Sequence, residues 1–467
     1  RPKTALELLR ADQGGLVYQP VIGLHKDVAE IDFVSMYPSI MARFNISPET
    51  VGEPHPPGPL SETERGEKTE IWMFGSALPT QTSKFPIDSP SPLRGKGPGD
   101  RGVCPRTETE EGISEVEVLT GAERPQSPKF DDFAQEGWGE PGLVPKTLQP
   151  LLDKRIALKL RLAELPAWNP RRRAYKARTL AHKWLLVTCF GYLGYKNARF
   201  GRIEAHEAVT AYGRETLLRA KEAAEDLGYT VLHMYVDGMW VQKAGKNQVP
   251  DFQPLLDEIA ARTSLSIALD GVYRWVAFLP SRLDGRVPVP NRYFGVFQDG
   301  SLKMRGIEAR RQDTPPWIAQ VQLGLLDCLA QAGSIDEVPD CLPGLKRLLR
   351  KASADLRRGR VPLAGLLVSQ KLSRELDEYR VPSPAARAAA QLEAVGKHLR
   401  PGQRVRFLYT LGEPGVRAWD LPDSPDPATV DRRYYQRLLQ RAIETVLQPF
   451  GLRIASLMGE LEQMSVT

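Results

Sequence analysis

Two aspartates, Asp32 in "VAEIDF" and Asp237 in "HMYVDGMWV", stand where metal-assisted phosphoryl transfer would need them. That chemistry requires carboxylates from separate strands to converge within a few ångströms, because the cations must contact both attacking and leaving oxygens. "VAEID" alternates with period two and ends at Asp32, and "TVLHMYVDGMWVQK" reads as strand, turn, strand with Asp237-Gly238 at its tip. Large apolar neighbours (Ile31, Phe33, Val236, Met239, Trp240) imply that both carboxylates emerge from a buried sheet. Taken singly, an acid at a strand end is as readily a turn former or a helix cap. Asp270 in "ALDGVY" is a third and weaker candidate, since Asp-Gly is ordinary hairpin chemistry.

The cations come next. Arg155 and Lys159 are spaced i, i+4 and share a helix face, and Lys183 lies on the helix that follows, expected to run antiparallel. Three cations on one face of a helical hairpin make a triphosphate clamp, although a solvated basic face has the same pattern. Further basic concentrations lie at 169–183, 303–311 and 345–360. With 63 basic and 57 acidic residues the net charge is +6, an excess that makes a polyanionic partner plausible and says no more.

The elements that must position these groups are legible in outline. Residues 13–48 read as two strands and a turn into a helix that Pro38 opens. From about Pro54 to Gly139 the chain is rich in Pro, Gly, Ser and charge and lacks a sustained apolar period, which predicts a disordered insertion in which only "IWMF" (71–74) could pack locally. Helices are predicted over 142–165, 171–188 and 203–227, the last capped by Gly228. Hairpins are predicted at 230–243, 266–280 and 292–306; beyond Thr314 the pattern is mainly helical, with one strand at 402–411. A chain of 467 residues has room for two to four structural units. Four scattered cysteines without a CxxC pair argue against a zinc site or disulfide framework and fit a reducing cytoplasm. No apolar run approaches membrane-spanning length and no signal peptide opens the chain; Arg1 in place of Met fits a piece of something longer.

These stretches occur in an order that resembles the family B DNA polymerases. "DFVSMYPSI" (32–40) resembles motif A, and "KWLLVTCFGYLGYKNARFG" (183–201) resembles motif B. "YVDGMWV" (235–241) is similar to motif C, "LKMRGIEARRQD" (302–313) to the segment at the palm–thumb junction, and "QKLSRELDEYR" and "LRPGQRVRFLYTL" to thumb segments. The resemblance implies an α+β right-hand fold with a mixed palm sheet, helical-hairpin fingers and a mainly helical thumb. It divides the chain into palm (1–53), insertion (54–140), fingers (141–190), palm (191–312) and thumb (313–467).

Carried over, the resemblance implies that Asp32 and Asp237 are catalytic and bind two Mg²⁺, with Mn²⁺ as a substitute. The Phe33 carbonyl assists, and Asp270 is a peripheral acid near the metals. Tyr37 lies under the incoming sugar and excludes a 2′-hydroxyl. Arg155, Lys159 and Lys183 hold the triphosphate, Val187 sits near the nascent base pair, and Gly191 permits close backbone approach. Tyr195, Lys303, Arg305, Gly306 and Arg310 are placed on the DNA.

The departures are specific. The usual Asn-Ser of motif B is Val187-Thr188, and the following Tyr is Phe190, which removes a polar contact and a hydroxyl near the nascent pair. No exonuclease signature precedes motif A. Motif C shows one acid in place of two. Matching Asp237 to the first acid puts Met239 on the second and breaks the site. Matching it to the second needs no gap, aligns Gly238, Met239 and Trp240 with the turn glycine and apolar return strand, and leaves Tyr235 for the missing acid and His233 for the usual Tyr. Period-two geometry then places His233, Tyr235 and Asp237 on one face, with Met234 and Val236 toward the core. The second register gives a minimal pair, Asp32 and Asp237. The pattern resembles a divergent archaeal and bacterial branch of the family with altered motif C.

The expected function is template-directed addition of dNTPs to a primer 3′-hydroxyl, without proofreading in this chain, in repair or translesion synthesis. Primer-template DNA and dNTPs are the expected partners, with a sliding clamp or a separately encoded exonuclease or accessory subunit, no membrane, and a cytoplasmic, nucleoid-associated location. The alternative is a catalytically impaired DNA-binding paralogue with a structural role.

Overall fold

The computed structural model describes residues 14–51, 140–166, 168–195 and 197–458. The insertion read at 54–140, "IWMF" included, lies outside the described residues except for Glu140. The chain divides into two compact units: Arg1–Val17, Phe33–Ala220 and Thr263–Ser266 form one, and Tyr18–Asp32, Lys221–Arg262 and Ile267–Thr467 form the other.

The first unit is built on helices. α1 (Met36–Arg43) follows motif A directly and buries Met36, Pro38, Ile40, Met41 and Ala42. α2 (Leu143–Glu164) buries Val144, Leu148 and Leu152, and α3 (Arg171–Leu193) buries only Leu186 and Leu193. Side chains just after α1 satisfy the first N–H groups of α2, which have no partner within a helix. Asn45 Oδ1 accepts from the Gly142 N–H at 2.8 Å, Ser47 Oγ accepts from Val144 at 3.1 Å, and the Glu49 carboxylate accepts from Leu143. The two sides of the insertion are thereby fastened together: an added Cβ at Gly142 would meet Ser47 Cβ at 2.5 Å. Arg155 and Arg172 tie α2 to α3, donating to the carbonyls of Thr179 and of Leu162 and Leu165 respectively. α3 runs five residues beyond its predicted end at 188, so Phe190 and Gly191 are helical. α4 (Ile203–Asp226) completes the set and crosses into the second unit.

A seven-stranded sheet organises the second unit: β1 (Val17–Tyr18), β2 (Gly23–Phe33), β3 (Thr230–Tyr235), β4 (Gly238–Gln242), β5 (Ile267–Pro280), β6 (Pro288–Phe297) and β7 (Leu302–Arg305), in the order β1-β3-β4-β2-β5-β6-β7. The sheet expected to be mixed is antiparallel at every described register, β2 with β4, β3 with β4, β5 with β6 and β6 with β7. The hairpin expected over 266–280 is instead the single strand β5, so Asp270-Gly271 is not a turn. Its run "VYRWVAFLP" lacks alternation because both faces are covered. Tyr273, Val276 and Phe278 pack with Trp240, Tyr293 and Phe297, while Trp275, Ala277 and Leu279 pack under the C-terminal helices.

Those helices are α6 (Pro316–Leu329), α7 (Val338–Arg357) and α9 (Arg432–Leu447), after α5 (Gln253–Thr263). α7 buries Val338, Cys341, Leu345, Leu349, Ala352 and Leu356, a stripe of helical period. Within the segment expected to be mainly helical there is also a three-stranded sheet, β8 (Val368–Lys371), β9 (Arg404–Tyr409) and β10 (Val416–Ala418). α8 (Pro384–Glu393) covers it through Ala385, Ala388, Ala389 and Leu392; α10 (Ile454–Met458) ends the described chain.

Candidate active site

The antiparallel register of β2 and β4 pairs Asp32 with Gly238, Ile31 with Met239 and Glu30 with Trp240. β3 pairs Tyr235 with Gly238, which makes Val236-Asp237 the turn and Gly238 the first residue of β4. The tip is one residue earlier than the Asp237-Gly238 expected from sequence. The Asp237 N–H donates to the Tyr235 carbonyl at 2.7 Å, closing a three-residue turn centred on Val236 at φ 60°. A β-branched residue at positive φ is strained, and a γ-turn of this hand is rare. The turn leaves Asp237 close enough for its charge to act on Asp32.

Asp32 titrates well above the ordinary carboxylate range, pushed up to about 8 by burial first and then by the charges of Asp237, Asp270 and Glu30, with Lys303 opposing. Three other carboxylates thus act on Asp32, with the Lys303 ammonium opposing them. Lys303 Nζ lies 2.9 Å from Glu30 Oε2 and 2.8 Å from Asp270 Oδ2. Burial works against the Lys303 charge, but Glu30 and Asp270 more than offset it and raise its pKa. Glu30 also accepts from the Tyr273 hydroxyl at 2.6 Å, yet its pKa is raised because burial outweighs these partners. Lys303, placed on the DNA by resemblance, here bridges two acids of the sheet.

Glu30 is the acid that the sequence reading passed over. It shares a face with Asp32 because side chains two apart on a strand point the same way. A charge inside the buried run "VAEID" was the signal that could have found it.

His233 is a correction. Expected to share a face with Tyr235 and Asp237, with Met234 and Val236 toward the core, it is itself fully buried, stacked on Trp240 at 4.8 Å, and its Nδ1–H donates to the Tyr18 carbonyl at 2.6 Å. The pairing from His233 through Tyr235 is unbroken, so these two keep a common face, but Trp240 and Phe278 cover that face at His233, and Met234 on the opposite face is buried as well. Burial lowers the His233 pKa to about 4. Tyr235, at the position of the missing acid, is partly exposed.

In the helical unit, Tyr37 on α1 lies 4.6 Å from Phe190, centroid to centroid. Arg155, expected to hold a triphosphate, is half-buried with Nη1 on the Thr179 carbonyl at 2.8 Å, whereas Lys159, Lys183 and Val187 are exposed. An added Cβ at Gly191 would meet no neighbouring atom of the described residues within 4 Å. Tyr195 is 44% exposed. In the sheet unit Arg305, Gly306 and Arg310 are exposed; Gly306 sits at φ 63° in a turn where a Cβ would lie 2.5 Å from the Asn291 carbonyl.

The family model described as DNA polymerase family B matches residues 4–244 and 290–449. The chain belongs to DNA polymerase family B. "DNA polymerase 2" of Aeropyrum pernix is 26% identical over 448 residues, covering 96% of this chain and 46% of that protein. "DNA polymerase 2" of Saccharolobus solfataricus is 28% identical over 301 residues, 64% of this chain and 33% of that one. The solved family B DNA polymerase of Pyrobaculum calidifontis shares the fold at a TM-score of 0.51 and 24% identity, covering 96% of this chain and 47% of that one. The family B chain described here therefore spans about half the length of these relatives.

Among the described residues no three His, Cys, Asp or Glu side chains form a group that could hold a metal ion, and no helix is long and apolar enough to cross a membrane. The donor chemistry nevertheless fits Mg²⁺. That ion keeps most of its waters and takes only one or two carboxylates alongside substrate phosphates. Asp32 and Asp237 are hard oxygen donors whose mutual repulsion a cation would relieve.

Proposed function

We propose that this chain is the polymerising part of a template-directed DNA polymerase, adding dNTPs to a primer 3′-hydroxyl. The observation that carries the reading is the pairing of Asp32 with Gly238, which sets the Asp32 and Asp237 carboxylates against each other at the end of β2. On this reading Asp32, Asp237 and the Phe33 carbonyl hold two Mg²⁺, or Mn²⁺, with Asp270 peripheral. The bound ions supply Lewis-acid stabilisation of charge on the transferring phosphoryl group. Glu30 and Lys303 fix the electrostatics around Asp32. Tyr37 bounds the sugar, Val187 and Gly191 adjoin the nascent pair, and Lys159 and Lys183, with Arg155, take the triphosphate. Tyr195, Arg305, Gly306 and Arg310, with Lys303, take the DNA. Binding to the DNA backbone brings a steep salt dependence.

The right-hand division into palm (1–53 and 191–312), fingers (141–190) and thumb (313–467) belongs to this reading. So do a clamp or separate exonuclease as partner and a role in gap filling or synthesis past damage. Val187 and Phe190, in place of the usual polar residues, favour such specialised synthesis. The test is primer extension by the wild type beside Asp32→Ala and Asp237→Ala, with primer-template binding measured in parallel. Both substitutions abolish extension and leave DNA binding intact. Extension surviving Asp237→Ala would sink the register, and binding without extension by the wild type would favour the non-catalytic paralogue. Extension across an abasic template, against an undamaged one, tests the specialised role.

A further inference from the structure

Three aromatic rings from three helices of the first unit lie in consecutive contact. Tyr37 on α1 meets Phe190 on α3 at 4.6 Å and 45°, and Phe190 meets His206 on α4 at 4.1 Å and 19°, nearly parallel. The imidazole is oriented as well as stacked, with Nδ1 3.1 Å from the Phe190 backbone carbonyl. Two glycines make room at the ends of this row. A Cβ at Gly194 would lie 2.9 Å from His206 Nδ1, and a Cβ at Gly213 would lie 2.9 Å from Tyr37 Cε1. Gly213 is interior to α4 and has no positive φ, so its backbone does not call for glycine. A glycine there costs about 1 kcal/mol relative to alanine. The ring of Tyr37 is what occupies the missing side chain's space. His206 and Gly213 are seven residues apart, two turns of one helix face, and so address the same three rings from α4.

We propose that His206 and Gly213 determine sugar specificity, acting as positioning residues for Tyr37: His206 fixes the Phe190 ring, Phe190 fixes Tyr37 from one side, and Gly213 sets how far its ring recedes. The inference rests on the polymerase reading above, in which Tyr37 bounds the sugar. Motif B commonly carries a Tyr where Phe190 stands, and without that hydroxyl the contacts of the Phe190 ring with Tyr37 and His206 carry its orientation. Loss of the His206 face removes one support of the Phe190 ring, and a tilt of that ring shifts Tyr37 against it. Space for a 2′-hydroxyl then opens.

The test is single-nucleotide primer extension with a matched dNTP and with the corresponding rNTP, comparing the ratio of their kcat/KM values. A misfolded fraction scales both values alike, so the ratio reports the pocket. His206→Asn keeps a side-chain donor but removes the ring; it shifts the ratio toward ribonucleotide by about threefold to tenfold, the worth of one aromatic pair. His206→Phe keeps the ring and stays near the wild type. Gly213→Ala displaces Tyr37 and moves the ratio by at least about threefold, with dNTP KM affected more than kcat. Normal dNTP incorporation with a ratio unchanged in His206→Asn overturns this inference alone, and His206→Phe behaving like His206→Asn overturns stacking as its basis. A wild type that incorporates neither sugar overturns the polymerase reading and this one with it.

Discussion

Replacing Asp32 by Asn should stabilise the cation-free protein. The native carboxylate titrates near 8, against 3.8 for an unperturbed group, because burial, Asp237, Asp270 and Glu30 all oppose its charge. For an acid raised on folding, the unfolded chain releases its proton first, so stability falls as pH rises from the unfolded value through the folded one. Each unit within that window is worth about 1.4 kcal/mol, which sets a ceiling on the order of 4 kcal/mol at neutral pH. Part of that cost is repulsion that the neighbouring acids can relieve by taking up protons themselves, so about 2–3 kcal/mol is expected, or roughly 5 °C. The assay is thermal unfolding of wild type and Asp32→Asn in chelator, from about pH 5 to pH 8, repeated with Mg²⁺. In chelator the variant melts higher near pH 8, and its advantage shrinks as pH falls. Mg²⁺ raises the wild type, as any ligand of the native state must, and raises the variant far less. A variant that melts no higher than the wild type near pH 8 in chelator would refute the electrostatic account of this site.

Three other outcomes follow from neighbouring residues. Lys303→Met leaves Glu30 and Asp270 without their shared ammonium; breaking such a pair costs about 3 kcal/mol, and Glu30→Gln in the same chain restores much of it in urea melts, whereas no restoration would uncouple the two. His233, with its pKa lowered to about 4, makes the wild type lose stability as pH falls from about 6.5 toward that value. His233→Phe flattens that slope by up to about 3 kcal/mol in paired pH melts, and parallel slopes would place the acid sensitivity elsewhere. Val236→Gly relieves the positive φ and holds or raises stability by about 1 kcal/mol while slowing primer extension, because Asp237 is less firmly aimed; a clear loss of stability would show that the turn is not strained.

Local sequence carried much of the architecture. α2 and α4 begin and end within a residue of the predicted bounds, and the β3–β4 hairpin covers the predicted span with its tip one residue before the Asp-Gly pair. β5 departs from the expected hairpin because a strand covered on both faces has no alternation, so its Asp-Gly has the local pattern of a turn. The three-stranded sheet near the C-terminus was half-seen, as one strand: β8 and β10 have only four and three residues, too short for a period to show.

By itself the sequence determined the family and pointed to the two acids, since order and spacing of short motifs survive without any knowledge of contacts. The period of β2 also held the signal for Glu30, two residues before Asp32 on the same strand. Only the tertiary structure decided which faces meet. It drew Lys303 from β7 between Glu30 and Asp270, put Arg155 on the Thr179 carbonyl, buried His233 against Trp240, and closed Tyr37, Phe190 and His206 into one cluster. Side-chain period is a property of one element, whereas partners far apart in sequence are chosen by packing, and packing is where these charges and rings find their neighbours.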